Sequence, residues 1–333
     1  MPATTSLPLR TLGTTLTVSS LGFGAMGMSE FYGPSDDAAS TALLDELADR
    51  GVTLIDTADN YGMGHNETLI GAWLRASGRA GQVKIATKCG IERSPAVGRR
   101  INNTPEYIRR CCDASLARLG IEQIDLYYLH RVDPAIAIEE SMGTMVDLVK
   151  EGKIAHVGLC EVSAGTLERA HRAHPVTALQ TEYSLWTRDV EDGILAATKA
   201  LGIGFVAYSP LGRGFLSGRL DPAKLAENDF RRTNPRFEGD NLQANLGLLE
   251  TVRAIAAQHM ATPAQVALAW LLAQGEHIVP IPGTRRSSYL QENLGALDVR
   301  LTAADLAQLD QATAPGKVHG TRYDAAGMKT LNV

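Results

Sequence analysis

Asp56, Tyr61, Lys88 and His130 are the side chains of this chain whose types and settings could move a proton. Each ends, or lies just beyond, a short apolar run. Leu54-Ile55-Asp56 opens into Thr57-Ala58-Asp59-Asn60-Tyr61, Val83-Lys84-Ile85-Ala86-Thr87 reaches Lys88, and Asp125-Leu126-Tyr127-Tyr128-Leu129 reaches His130. Runs of this composition that stop at a polar residue read as strands delivering that residue to a loop. Tyrosine holds its proton to about pH 10, so acting as a general acid near neutrality requires a stabilised phenolate. A lysine cation beside the phenol would supply that, and a carboxylate behind the lysine would position it and keep it charged. A histidine would add a hydrogen bond to the substrate oxygen or to the phenol, its other ring nitrogen setting the tautomer. Such a group suits protonation of a carbonyl oxygen as negative charge builds on it. Singly, each residue has a plainer reading: Asp56 a cap, Lys88 a surface charge, His130 a satisfied loop residue. Together at strand C-termini they point to the face where barrels build their sites.

The elements that would carry them alternate along the chain. Apolar spacing at three and four predicts helices at about 36–50, 66–77, 105–118, 138–151, 164–173, 189–201, 244–259, 263–273 and 286–296. Thr104 before Pro105, Thr262 with Gln265, and Thr302 with Asp305 have the composition of helix N-termini. Inner strands fall near 20–25, 52–57, 83–88, 125–130, 154–160, 177–181, 203–208 and 277–281. Strands alternating with helices imply a parallel sheet, and eight of them close into a (β/α)8 TIM barrel of the α/β class. Residues 7–19 predict an N-terminal β-hairpin around Gly13-Thr14. The long loop after strand 7, residues 211–243, reads as a lid or binding loop, and the tail after Thr313 as a loosely ordered extension over the same face.

Composition sets bounds. A chain of 333 residues with 44% hydrophobic and 21% charged residues suits one α/β domain spanning 1–333 and argues against disorder. The formal charge of −5 gives no nucleic-acid footprint, no apolar run is long enough for a bilayer, and the N-terminal stretch lacks an export signal, so no nucleic-acid or membrane partner and a cytoplasmic location are expected. Whether the chain is a monomer or a homo-oligomer is left open. Four cysteines, with Cys111 and Cys112 adjacent, make neither a disulfide framework nor a metal site, and read as buried thiols.

The four polar strand ends resemble the tetrad of the aldo-keto reductase superfamily, and the flanks carry the likeness over nearly the whole chain: Tyr61-Gly62-x-Gly64-x-Asn66-Glu67, Gly152-Lys153-Ile154 leading to Gly158-Leu159, Gln180-x-Glu182-Tyr183-Ser184, Tyr208-Ser209-Pro210-Leu211-x-x-Gly214 and Pro280-Ile281-Pro282-Gly283-Thr284. The chain looks most like the microbial and plant branch that also resembles the potassium-channel β subunits. The resemblance implies NADPH-dependent reduction of an aldehyde or ketone, with Tyr61 as proton donor, Lys88 and Asp56 as its pKa-lowering pair and His130 orienting the carbonyl. It further implies nicotinamide carboxamide contacts at Cys160, Glu161 and Gln180, with Tyr208 stacked on the ring. Ser209, Pro210, Leu211 and Gly214 would border the pyrophosphate, and Gly283, Thr284, Arg285, Tyr289, Glu292 and Asn293 the adenosine end. Two departures stand out: Cys160-Glu161 replaces the family's usual serine and asparagine, and Tyr289 replaces a common arginine on the 2′-phosphate, a charge that Arg285 and Arg286 could supply.

Gly22-Phe23-Gly24-Ala25-Met26-Gly27 matches the dinucleotide fingerprint, but a loop follows where a helix should open, so it reads as small residues packed at a barrel strand. Met26, Phe31, Tyr32 and Trp186, with Val132, are the expected substrate-pocket walls, while Trp270 reads as core. Arg131 and Arg188 would reach a substrate carboxylate only by turning inward. Two other readings compete: a redox-sensing regulatory subunit that retains cofactor with slow turnover, and Schiff-base chemistry on Lys88.

Overall fold

Side chains along a strand alternate between two faces, and here the alternation separates a barrel interior from an outer, helix-covered layer. The computed structural model describes residues 7–94 and 98–333; residues 1–6 of the stretch read for an export signal lie outside it. A hairpin, β1 (Leu9–Leu12) and β2 (Leu16–Ser19), precedes β3 (Phe23–Gly24), β4 (Leu54–Asp56) and β5 (Lys84–Cys89). A second hairpin, β6 (Ile91–Ser94) and β7 (Gly98–Ile101), follows, then β8 (Ile124–Leu129), β9 (Ile154–Cys160), β10 (Ala178–Glu182), β11 (Gly204–Tyr208) and β12 (Ile278–Pro280). The parallel sheet runs β3-β4-β5-β8-β9-β10-β11-β12. Its ends meet: Gly22 N donates to Pro280 O at 3.0 Å and Gly24 N to Pro282 O at 3.4 Å.

That seam explains the false fingerprint. A Cβ on Gly24 would lie 2.9 Å from Ile281 O, and one on Gly283 2.7 Å from Gly24 O, so both glycines permit closure of the barrel. Leu54, Ala86, Leu126, Tyr128, Ala178, Val206 and Val279 fill the interior, joined by Leu12, Leu16 and Val18 of the first hairpin. The hairpin thus plugs the end of the barrel opposite the strand C-termini. Outward-facing Ile55, Ile85, Tyr127, Val157 and Phe205 form the second layer with helical Ile70, Trp73, Ile108 and Trp270. Each such side chain contributes about 1.5–3 kcal/mol of burial, enough to make strand register and helix facing mutually dependent.

The predicted helices form with small changes of boundary. The 189–201 prediction divides into a 3₁₀ turn, Asp189–Glu191, and a helix, Ile194–Ala200, because Gly193 takes φ 89°. Thr262 with Gln265 and Thr302 with Asp305 form reciprocal capping boxes, whereas Thr104 makes no side-chain cap. The 211–243 segment is a chain of short 3₁₀ turns followed by the helix Gly239–Leu246. It crosses the mouth through Phe230 N to Phe31 O at 3.0 Å and through Arg231 lying 4.9 Å over the Tyr32 ring.

The tail departs from the sequence-based expectation of loose order. Arg322 enters a buried ion pair with Glu161, Ser163 N donates to Val333 O at 3.0 Å, and Asn332 N donates to Glu161 O at 2.8 Å. Charge pairing across the mouth, invisible in local composition, docks the segment. All four cysteines are buried and free, and no described helix is long and apolar enough to cross a membrane.

Candidate active site

Strand alternation puts Asp56 of β4 and Lys88 of β5 on the interior face at the strand C-termini. Lys88 Nζ donates to Asp56 Oδ1, to Thr57 O at 2.7 Å and to the Tyr61 hydroxyl at 3.3 Å, so its three protons are all directed. Gln180 of β10, expected at a carboxamide, turns its Nε2 to Asp56 Oδ2 at 2.6 Å. Tyr61 and His130 meet edge to face, with ring centroids 5.8 Å apart and planes at 81°. The four tetrad residues are therefore brought together.

A second polar layer behind the strands holds this arrangement. Thr57 Oγ1 donates to Asn66 Oδ1 at 2.6 Å, and Asn66 Nδ2 donates to Ala25 O at 2.9 Å. Thr87 Oγ1 donates to Glu67 Oε1 at 2.6 Å, and Arg118 Nε to Glu67 Oε2 at 2.7 Å. Asn66 and Glu67 stand in the quoted flank of Tyr61, but only the fold reveals their work: they tie β4, β5 and the Tyr61 loop to the following helix.

Burial and charge set the protonation states. Burial disfavours the Lys88 ammonium, but the Asp56 carboxylate outweighs it and holds the lysine above its ordinary pKa, cationic across the working range. Burial pushes the Tyr61 phenol up to about 12 against the pull of Lys88, and Asp56 adds to the rise, so the pair expected to lower this pKa does not bring it below the ordinary value and the hydroxyl carries its proton at neutrality. His130 falls well below the usual imidazole value, through burial first and then the Lys88, Arg131 and Arg99 charges; it is neutral, with Nδ1 buried and unpartnered. Burial also pushes the Cys160 thiol up to about 12.

Beside the tetrad lies an ionic network missed by reasoning on sequence. Glu161, at φ 55°, accepts from Arg322 Nη1 at 3.0 Å, Tyr208 Oη at 2.7 Å and Glu182 N at 3.0 Å, while its other oxygen takes Arg322 Nη2 at 3.2 Å. Tyr208 and Tyr323 hydroxyls lie 2.9 Å apart. Arg213 Nη2 pairs with Glu182 Oε2 at 2.8 Å. Glu161, expected at the carboxamide, instead has its carboxylate engaged by the protein; no local signal in the chain links it to Arg322.

The remaining expected contacts are distributed unevenly. Ser209, at φ 49°, Pro210, Leu211 and Gly214, at φ 95°, form a tight turn at the mouth, where Phe31, Met63 and Arg213 also take positive φ. Gly283 sits on the seam, and Thr284 Oγ1 accepts from Arg286 N at 3.1 Å. Arg285, expected to supply phosphate charge, is tied to the carbonyls of Tyr32 at 2.8 Å, Gly33 at 3.4 Å and Pro34. The charge around Tyr289 comes from Arg219 and Arg286, 5.7 and 5.4 Å from its ring centre. Glu292 pairs bidentately with Arg219 at 2.6 and 3.0 Å, and Asn293 is buried.

Met26, Phe31 and Tyr32 lie half-buried on the loop after β3. Trp186 does not join them. It is 2% exposed, with Phe215 against it at 3.8 Å, Phe237 at its edge and the Arg236 guanidinium 5.3 Å over its ring, so it packs beneath the 211–243 segment. Its aromatic neighbours come from residues too remote in sequence to be foreseen. Val132 is 6% exposed, and Trp270 is core, as expected, its Nε1 donating to Asp310 at 3.0 Å.

Comparison with known proteins gives a consistent picture. The sequence profile of the Aldo/keto reductase family matches residues 20–314. A probable aldo-keto reductase of Glycine max is 45% identical over 307 residues, 92% of this chain and 88% of its own length. An aldo-keto reductase of Schizosaccharomyces pombe, named with NADP(+), is 44% identical over 330 residues, 97% of each chain. Among solved structures, a glycerol dehydrogenase of Gluconobacter oxydans aligns at TM-score 0.83 with 25% identity, covering 92% of this chain and 94% of that one. A thermostable aldo-keto reductase in complex with the inhibitor epalrestat aligns at 0.74 with 30% identity, covering 92% and 100%.

Proposed function

The chain belongs to the aldo/keto reductase family, and from that premise we propose that it reduces aldehydes or ketones to alcohols with NADPH, Tyr61 donating the proton. One observation carries the reading: the Lys88 ammonium lies between the Asp56 carboxylate and the Tyr61 hydroxyl, with the neutral His130 ring against the phenol.

The residues at the mouth fit the cofactor. The guanidinium of Arg286 beside Tyr289 suits a 2′-phosphate, Arg219 being taken by Glu292, and the positive-φ turn from Ser209 to Gly214 presents close backbone to a pyrophosphate. The half-buried Tyr208 offers a ring for the nicotinamide. When bound, NADPH supplies the hydride.

The protein's own part is orientation and the proton. Neutral His130 hydrogen-bonds the carbonyl oxygen beside Tyr61, which is protonated at neutrality. As negative charge builds on that oxygen, the Tyr61 proton crosses to it, and Lys88 stabilises the nascent phenolate at 3.3 Å. Asp56, braced by Gln180, keeps Lys88 charged. A cationic lysine is a poor amine nucleophile, which weighs against Schiff-base chemistry, and the intact donor set favours turnover over a purely regulatory role.

Steady-state kinetics with NADPH and an aromatic aldehyde test the reading. Tyr61→Phe is expected to lose orders of magnitude in kcat while still binding NADPH; a variant keeping most of its turnover overturns the assignment.

A further inference from the structure

Of the two arginines that the sequence leaves as possible partners for a charged substrate, the fold gives one its own carboxylates and leaves the other without one. Arg188 is engaged with Glu191, pairs with Asp310 at 3.1 Å and lies 4.8 Å over the Trp270 ring. Arg131 follows His130 directly, is 7% exposed and forms no ion pair among the described residues. Its Nη1 donates to His130 O at 2.7 Å, while its Nε is buried without a partner.

The setting of Arg131 is rigid. A Cβ on Gly90 would lie 3.3 Å from Arg131 O, and Asp133 N donates to the buried Asn103 at 2.7 Å, so the backbone on both sides is held. Burial disfavours its charge, while Tyr208, Tyr323, Glu161 and Cys160, groups at the barrel mouth, draw its pKa above the ordinary value. Of these only Glu161 is a carboxylate, and it is already paired bidentately with Arg322. A buried guanidinium lacking a carboxylate of its own is costly unless an anion reaches it from outside the chain.

We propose that the substrate is a carbonyl compound bearing a carboxylate, and that Arg131 receives this carboxylate at the barrel mouth. The inference rests on the reductase reading and narrows its substrate class. The planar guanidinium fork matches a carboxylate through paired, charge-assisted hydrogen bonds. Adjacency to His130 puts the anionic group on the same molecule as the carbonyl. Aromatic and apolar residues on the loop after β3 remain for the rest of the substrate.

The test compares 4-carboxybenzaldehyde with its methyl ester, at fixed NADPH. In the wild type, kcat/KM is expected to favour the acid by about ten- to a hundred-fold, the size of a charge-assisted hydrogen-bonding pair. Arg131→Leu should bring the acid-to-ester ratio to near one, and Arg131→Lys, which keeps the charge and loses the fork, should give an intermediate ratio. Equal use of acid and ester by the wild type overturns the proposal without any variant, as does an undiminished ratio in Arg131→Leu. If neither aldehyde is reduced, the reductase reading itself falls, and this inference with it.

Discussion

Replacing Lys88 with methionine removes the cation that faces the phenol while keeping most of the side-chain volume. At 3.3 Å, and at an effective dielectric of about 20, a lysine cation stabilises a full phenolate charge by about 5 kcal/mol. That figure is the ceiling on what the developing phenolate gains, and it corresponds to a loss in kcat of about three to four decades. The same substitution strands Asp56, which is 3% exposed and keeps only the Gln180 donor. Breaking a buried pair from one side costs about 3–5 kcal/mol. Burial already draws the Asp56 pKa upward and Lys88 opposes it, so the variant's carboxyl titrates higher still. A carboxyl raised in the folded state gives stability that is present below its unfolded pKa and lost as pH rises. Lys88→Met should therefore be destabilised more at pH 8 than at pH 5. Adding Asp56→Asn should recover stability and leave turnover low. Urea unfolding at the two pH values, with single-turnover kinetics on the same preparations, reads both effects. Turnover within ten-fold of wild type in Lys88→Met, or recovered alongside stability in the double variant, would refute the electrostatic role.

Two further outcomes follow from the geometry. Burial, then the neighbouring Glu67 charge, raises the Asp59 carboxyl to about 7, so this group's own contribution to stability declines from about pH 4 to pH 7 by up to about 4 kcal/mol; Asp59→Asn should gain stability relative to wild type across that range in urea titrations, and a pH-independent difference between the two would contradict it. Arg286→Ala should weaken NADPH binding by about ten-fold or more and narrow the preference over NADH, measured by fluorescence titration, since a charge-assisted contact to the 2′-phosphate is lost; equal effects on both cofactors would place that phosphate elsewhere.

The sequence by itself determined the barrel and its reacting rim. Period-two runs ending at Asp56, Lys88 and His130 encode strands whose C-termini share one face, and short-range chemistry such as the Thr262–Gln265 box sets helix starts. What a strand delivers to its end depends only on neighbours a few residues away, so it is written locally. Tertiary structure alone decided which way the long polar side chains turned. Gln180 braces Asp56 across 124 residues, and Arg322 reaches Glu161 across 161. Trp186 sinks beneath the 211–243 segment, Arg285 is drawn to the carbonyls after β3, and Arg188 is taken by acidic side chains while Arg131 bonds only to backbone. Arginine and glutamine have several rotamers of similar energy, and the partner that selects one is supplied by an element remote in the chain, available only once the barrel has closed.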